Sequence, residues 1–445
     1  MIYTFYKSEI VWDGYNRNYY KTYYLISSIL ICFSIITFFF NEKIKEYLII
    51  SGISLVLSLY LFEGYLFFKE PLSKEQHSKE QHSKEQHSKE LLYEKKTGKK
   101  WDKRTKLDIY KELKKNDNKI TITYTPVNLV NKNYANVPFL LSGLSNSETI
   151  HCNENGYYSI YQSDRYGFNN PDEEWDKKQI EYLLVGDSFT HGACVTRPND
   201  IGSILRNLSN KSVLNLGMGG NGPLIEYATL REYLDINVKK VLWIYYEGND
   251  FDNLNYELKN EILLKYLNKN FTQNIKLNQY KFDILVKKLI NEEIKKAKIS
   301  NEERKKLKIS KENIIFFLKL NKTRSLLNNY LHIDQQPDSK TNKFSINEFI
   351  KILNLTKNLI NQNNSELYFV YLSEYSHYKM NYDNTDYILV KNIVKELKIP
   401  FIDIHKEVFE KEQNPLKLFP FELPGHYNID GYKKVAETIY KFTKD

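Results

Sequence analysis

Cysteine is scarce in this chain, three residues in 445. Cys32 falls inside an apolar N-terminal run, which leaves only Cys152 and Cys194 in the remainder. Those two can pair in an oxidising space, or stand as two ordinary buried thiols. No nucleic-acid-binding motif is present. The formal charge of +9 is modest and sits largely in Lys-rich helical stretches, so a nucleic-acid partner is not expected. A small-residue cleavage site is also missing after the first apolar run, which starts late and is rich in aromatics. That argues against a cleaved signal peptide.

The N-terminus holds two long apolar runs. Residues 24–40 read YLISSILICFSIITFFF, without a charge, and residues 47–68 read YLIISGISLVLSLYLFEGYLFF, with a single acid, Glu63. About 20 apolar residues suffice for a helix to cross the hydrocarbon core. With NEKIKE joining them, the runs predict a transmembrane hairpin, a two-pass anchor over 1–70 whose partner is the lipid bilayer. Glu63 lies near its helix end and is expected at the interface rather than on an ion path. A hairpin leaves the N-terminus and the rest of the chain on one side. Lys7, Arg17 and Lys21 at one end nearly balance Lys43 and Lys45 in the connection, so the positive-inside rule does not choose that side. A periplasmic or other extracytoplasmic location is the expectation, with the cysteine pair as its only hint.

Within a linker over 71–92, residues 73–90 repeat SKEQH without error. The tract has no apolar face, so it cannot join a core by itself. Glu75 with Lys79, and Glu80 with Lys84, are acid-first pairs four apart and favour a solvated helix. His77, His82 and His87 recur every five residues and do not stack on one helical face, which weakens a metal-binding reading. Residues 93–179 read as an accessory layer. DKRTKLDIYKELKKN is an amphipathic helix with Leu107, Tyr110 and Leu113 on one side, ITITYTP a strand, and GYYSIYQSDRYG a hairpin.

From residue 180 onward strands and helices alternate, which predicts a parallel sheet covered on both faces. Leu183, Leu184 and Val185 form a short buried strand that runs directly into Gly186, Asp187 and Ser188. A glycine there lets the chain turn sharply, and a serine just past a strand end can be presented as a nucleophile. In SVLNLGMGGNGP (212–223) a second strand runs into a loop crowded with Gly217, Gly219, Gly220 and Gly222, whose backbone can approach a ligand closely. In KKVLWIYYEGNDFDNL (239–254) a third strand ends at Gly248, Asn249 and Asp250, and the Asn249 amide can donate to a developing oxyanion. In LPGHYNIDGYKKVAETIYKF (423–442) His426 sits in a loop before a last helix that starts near Asp430. Each stretch alone has a bland reading, as a turn, a flexible loop or a helix cap.

Together the four stretches resemble the GDSL/SGNH hydrolase superfamily over 180–445. The lead-in SDRYGFNNPDEEW (163–175) resembles that of its membrane-anchored bacterial members. The resemblance implies a flavodoxin-like parallel sheet with helices on both faces, the SGNH hydrolase fold. It implies Ser188 as nucleophile and His426 as general base. The oxyanion donors would be the Ser188 N–H, Gly220 (with Gly217 and Gly219 as other candidates) and Asn249. Gly186, Asp187 and Asp250 would support them. No cofactor or metal is expected. The family's Asp two or three residues before the histidine is replaced here by Pro424 and Leu423. Glu422 is the first candidate for the missing acid, while Asp430 reads better as a helix cap. A Ser-His dyad oriented by a backbone carbonyl is the other option.

The expected activity is that of a serine esterase acting on acetyl or acyl esters of glycans or small molecules near the membrane. O-acyl transfer to a cell-surface polysaccharide and a non-catalytic tethered binding domain are the alternatives. Of the other histidines, His191 and His405 read as packing residues and His377 as a possible substrate contact. A Lys- and Leu-rich helical insertion over 253–344 is expected to interrupt the sheet order and to cover the active site.

Overall fold

The computed structural model describes residues 1–11, 17–69, 74–130, 138–234, 237–303, 315, 317–330, 343–379 and 382–444. Ser73 of the repeat, and residues 304–314 and 331–342 of the expected insertion, lie outside them. The chain divides into two units, Met1–Gln76 with Lys308–Asp334, and His77–Leu307 with Gln335–Asp445.

In the first unit, helices Arg17–Phe38 and Glu42–Lys69 carry the two apolar runs. One helix, Glu42–Leu66, is long and apolar enough to cross a membrane, while the apolar part of the other, Tyr23–Phe38, is shorter. The two-span hairpin therefore rests on one helix of full length. Glu63 does not sit at an exposed helix end as expected. It is fully buried. Its carboxylate accepts from the Lys322 N–H (3.0 Å), the Thr323 N–H (2.8 Å) and the Thr323 hydroxyl (2.7 Å). These are first-turn donors of the helix Asn321–Tyr330, which lack partners within their own helix. An acid near a helix N-terminus also complements the dipole. Lys322 Nζ returns the contact by donating to the Leu66 carbonyl at 2.9 Å.

The second unit is built on two sheets. The smaller holds β1 (Ile120–Ile122), β2 (Glu148–Ile150) and β3 (Ile160–Gln162), with β1 parallel and β3 antiparallel to β2. The hairpin expected within 156–167 thus has its first strand upstream, at 148–150, and the intervening loop 151–159 is free to reach outward. The larger sheet is wholly parallel and ordered β5-β4-β6-β7-β8. Its strands are β4 (Ile180–Gly186), β5 (Val213–Asn215), β6 (Val238–Tyr246), β7 (Glu366–Leu372) and β8 (Phe401–Asp403).

Every residue of β4 is buried, as a central parallel strand requires when both faces are covered. Alternate side chains feed separate cores. Leu183, Val185, Val241, Trp243 and Phe369 point to one, closed by helices Pro223–Tyr233, Lys343–Gln362 and Thr385–Glu396. Tyr182, Leu184, Leu242, Ile244 and Val370 point to the other, closed by Ile201–Ser209 and Ile429–Thr443. The described helices of the insertion pack elsewhere than over Ser188. Its helix Gln279–Glu303 packs Phe282, Val286 and Leu289 into the first core, and Asn321–Tyr330 belongs to the N-terminal unit.

The chain leaves β4 toward β5 on one side and returns to β6 on the other. Such a reversal opens a crevice at the carboxyl end of β4, where open α/β sheets bind ligands. The lead-in segment braces that end. Asp164, fully buried, accepts from the Trp175 indole N–H (2.8 Å), the Asn170 amide (2.9 Å) and the Tyr166 and Phe168 N–H groups (2.9 and 3.0 Å). Asn170 then bonds both backbone groups of Asn215, and the Asn215 amide reaches the Thr190 carbonyl at 2.6 Å. Asp164→Ala strands those donors in the interior. It should lower stability by about 3 kcal/mol in urea unfolding of the detergent-solubilised chain followed by tryptophan fluorescence.

Candidate active site

β4 runs straight into the residues that matter. A Cβ on Gly186 would fall 2.0 Å from Thr190 Oγ1 and 2.6 Å from the Ile244 carbonyl, so only glycine allows the chain to fold back here. Asp187 caps the short helix Ser188–His191, accepting from the Phe189 N–H at 2.8 Å. Its carboxyl is fully buried, and burial pushes its pKa up to about 6. Ser188 is left half-buried at the crevice.

His426 Nε2 lies 2.8 Å from Ser188 Oγ. The imidazole packs on Phe189, which stacks on Tyr246 and meets Tyr427 edge-on, so the ring rests on an aromatic floor. At the far side of the ring, Nδ1 lies 3.0 Å from Glu154 Oε1, and the His426 N–H donates to Glu154 Oε2 at 2.8 Å. One carboxylate thus holds both the ring and the backbone of the histidine. Hydroxyl, imidazole and carboxylate thus lie in one line, the order of groups found in a Ser-His-acid triad.

Glu422 does not reach His426. Its carboxylate accepts from the Asn414 amide at 3.1 Å, because the tight turn at Phe421 and Glu422 aims it elsewhere. Asp430 does not cap the last helix either. Asn428 does, accepting from the Gly431 N–H at 2.9 Å. Glu154 was not among the sequence-predicted residues. It comes from the β2–β3 loop of the accessory sheet, which shares no strand with the catalytic one. Lys89 was missed as well. It is buried in the final SKE of the repeat and lowers the Glu154 pKa by its charge. Tyr93 continues the same helix onto Gly156, Trp101 and Phe421.

In the glycine loop, the Asn221 N–H closes a turn on the Met218 carbonyl at 3.2 Å, with Gly220 at a left-handed φ of +76°. Gly219 is the member beside Ser188, since a Cβ there would lie 3.8 Å from Ser188 Cβ. Gly220 packs instead against Val127. Gly217 is closed in by Thr190 and the His191 backbone. The loop is pinned by a buried acid that sequence reading also missed. Glu257 accepts from the Gly222, Leu224 and Ile225 N–H groups at 2.6, 2.9 and 3.4 Å, and burial pushes its pKa up to about 7.

Asn249 precedes the helix Asp250–Glu257 at the end of β6, and its Oδ1 is buried without a hydrogen-bond partner. Asp250 accepts from the Tyr246 N–H at 2.9 Å. Burial first, then Glu226 and Asp187, hold its carboxyl well above the usual range. Glu247, two residues before Asn249, is held by His377 Nδ1 at 2.8 Å, so His377 anchors the strand end and is turned inward. His405 packs tilted against His377 with ring centroids 4.0 Å apart. His191 is buried beside His151 and Tyr161, and burial pushes its pKa down to about 3.

Cys152 and Cys194 form a disulfide beside His426. Donor atoms of Glu154, Cys194 and His426 lie within 4.8 Å of one another. The Cys194 sulfur is committed to that bond and the carboxylate to the imidazole, so the trio is an ion pair flanked by a disulfide rather than a free ligand set.

No protein-family model matches the chain, and no curated protein does. Several solved structures are distantly similar to the chain. One is assigned to the G-D-S-L lipolytic family, from Desulfitobacterium hafniense DCB-2, at 12% identity and a TM-score of 0.32, covering 60% of this chain and 99% of that one. A second is a member of the lipolytic protein G-D-S-L family from Veillonella parvula DSM 2008, at 14% identity and 0.32, covering 60% and 100%. A third is the acetyl xylan esterase AlAXEase, at 11% identity and 0.31, covering 59% and 99%. Likenesses this distant leave all the weight on the geometry of the site.

For Glu154, burial works against ionisation, but the His426 ring, its hydrogen bonds and Lys89 bring the pKa down to about 2. For His426, burial opposes protonation, yet the charge and hydrogen bond of Glu154, then Asp187, hold its pKa above 6.5. The depressed acid adds stability above the ordinary carboxyl range, lost as pH falls toward 2. The raised base adds stability below 6.5, lost as pH climbs through its folded pKa. A proton NMR titration should place the His426 midpoint above about 6.5 and show it falling in Glu154→Gln.

Proposed function

We propose that this chain is a membrane-anchored serine esterase that cleaves acetyl or acyl esters of glycans or small molecules near the bilayer. The observation that carries this reading is the single line from Ser188 Oγ through both ring nitrogens of His426 to Glu154. His426 takes the proton of Ser188 as Oγ bonds to the ester carbonyl carbon. The Ser188 N–H, the Gly219–Gly220 turn and the Asn249 amide are the donors for the oxyanion, with Gly186, Asp187 and Asp250 supporting them. Collapse breaks the ester C–O bond, and the leaving alcohol takes the proton from His426. Water, activated by the same imidazole, then releases the acid and restores Ser188. Glu154 holds the ring in the correct tautomer and stabilises the imidazolium.

The sequence has no Asp beside His426, which favours a non-catalytic binding domain; Glu154 at Nδ1 supports the catalytic reading instead. Transfer to a sugar hydroxyl shares the first half-reaction and differs only in the acceptor. The anchor is read as two-pass, with helix Arg17–Phe38 as the companion span. The disulfide supports an extracytoplasmic site, since such bonds persist in oxidising compartments.

A fluorophosphonate probe should label the solubilised chain at Ser188, and an activated acetyl ester should turn over. Both signals should vanish in Ser188→Ala and His426→Ala. Asn249→Ala should label but lose about 10²–10³ in kcat, as for removal of one oxyanion donor. Absence of labelling in the folded chain would overturn the reading. Acyl-glycan product exceeding free acid when a polysaccharide is added would identify transfer.

A further inference from the structure

Glu154 lies two residues beyond Cys152, in the loop 151–159 between β2 and β3. Cys194 lies six residues beyond Ser188, just after the helix Ser188–His191. The Cys152–Cys194 bond brings their Cα atoms to 5.0 Å and spans 42 residues. Cys194 Sγ is 4.0 Å from His426 Nδ1, the atom that Glu154 engages. A hydrogen bond joins the same two loops, from the Asn155 amide to the Cys194 carbonyl at 2.9 Å. On its other side the acid loop is tied to the segment before β1, by the Asn153 amide on the Asp102 carbonyl and the Asp102 N–H on the Gly156 carbonyl. The acid therefore arrives from a sheet that shares no strand with the catalytic one, and a covalent bond at the site ties its loop to the segment after Ser188.

We propose that the Cys152–Cys194 disulfide positions the acid of the triad, so that the line Ser188–His426–Glu154 is complete only in the oxidised chain. This inference rests on the reading of those three residues as the catalytic groups. A dithiol reductant supplies two electrons and two protons. The Sγ–Sγ bond breaks, two cysteine thiols form, and the dithiol leaves as a cyclic disulfide. The loop carrying Glu154 then keeps the Asn155 hydrogen bond and the packing of His151 on His191 as its contacts to the Ser188 segment. The freed Cys194 thiol stands at Nδ1 and competes with the carboxylate for it. The charged and titratable groups facing His426 are Glu154, Asp187 and Lys89, with His151 and His191 behind. Among these, only Glu154 is carried by the bridged loop at hydrogen-bond distance.

The test is the pH profile of acetyl-ester turnover by the full chain in detergent, oxidised, reduced with dithiothreitol and reoxidised, beside Cys152→Ala/Cys194→Ala. Reduction should lower kcat at least about tenfold with KM nearly constant, the size of loss that a small misplacement of a catalytic group produces. It should move the acid limb to lower pH, and reoxidation should reverse both. The double-alanine variant should show the lowered kcat and ignore the reductant. In Glu154→Gln, reduction should change the remaining rate less than about twofold, because two changes acting through one contact do not add. A reduced chain that keeps its kcat and acid limb overturns the proposal. So does a Glu154→Gln variant that loses a further tenfold on reduction, since the bond would then be holding the fold and not the acid. If Ser188→Ala retains turnover, it is the triad reading itself that fails.

Discussion

The imidazole of His426 is gripped at both nitrogens, by Ser188 at Nε2 and by Glu154 at Nδ1. Its two partners come from 238 and 272 residues away in the chain. The double grip constrains much of what surrounds it. Nδ1 can serve the acid only if the accessory sheet is docked, and Nε2 can serve the serine only if β4 ends in a glycine that lets Thr190 fold back onto it. Gly425 shows the same pressure, because a Cβ there would lie 2.6 Å from Glu154 Oε2. The ring needs no metal-like cage to be fixed. An aromatic floor and two oxygens suffice.

Beneath this contact lies an unusual amount of buried acid. Asp187, Glu226, Asp250 and Glu257 are all 0–1% exposed. Burial raises each of their pKa values, and the neighbouring carboxyls add to the effect for Glu226 and Asp250. Interiors tolerate such groups when hydrogen bonds offset the desolvation, or when protonation removes the charge. Glu257 illustrates the use: its oxygens collect three orphan N–H groups at the start of helix Pro223–Tyr233 and so hold the glycine loop open beside Ser188.

The parts that read as mere attachment are engaged as well. Glu63, an acid inside an apolar helix, is buried because it satisfies the N-terminus of Asn321–Tyr330. The helix Lys74–Thr97, formed by a tract with no apolar face, is packed where the repeat ends, at Lys89 and Tyr93. Its last turns then touch the two loops that carry Glu154 and His426.

Strand β4, its glycine turn, Ser188, Asn249 and His426 were legible in the sequence, because each signal is local. Apolar runs of strand length end at residues that turn the chain or cap a helix, and the period of the pattern sets which faces are buried. The parallel sheet follows from alternating strands and helices for the same reason. Glu154 was not legible, and Glu422 was the natural choice, because nearness in sequence is the only distance a sequence displays. The acid is instead defined by the docking of a second sheet and a bond between Cys152 and Cys194, and both depend on how separate segments pack. Gly219 rather than Gly220 stands beside Ser188 for a like reason, since one residue of a tight turn decides which atoms face the site. What the sequence determined alone was the chemistry available at each strand end. The tertiary structure decided which remote carboxylate would complete it, because complementary groups become partners only when packing brings them within about 3 Å.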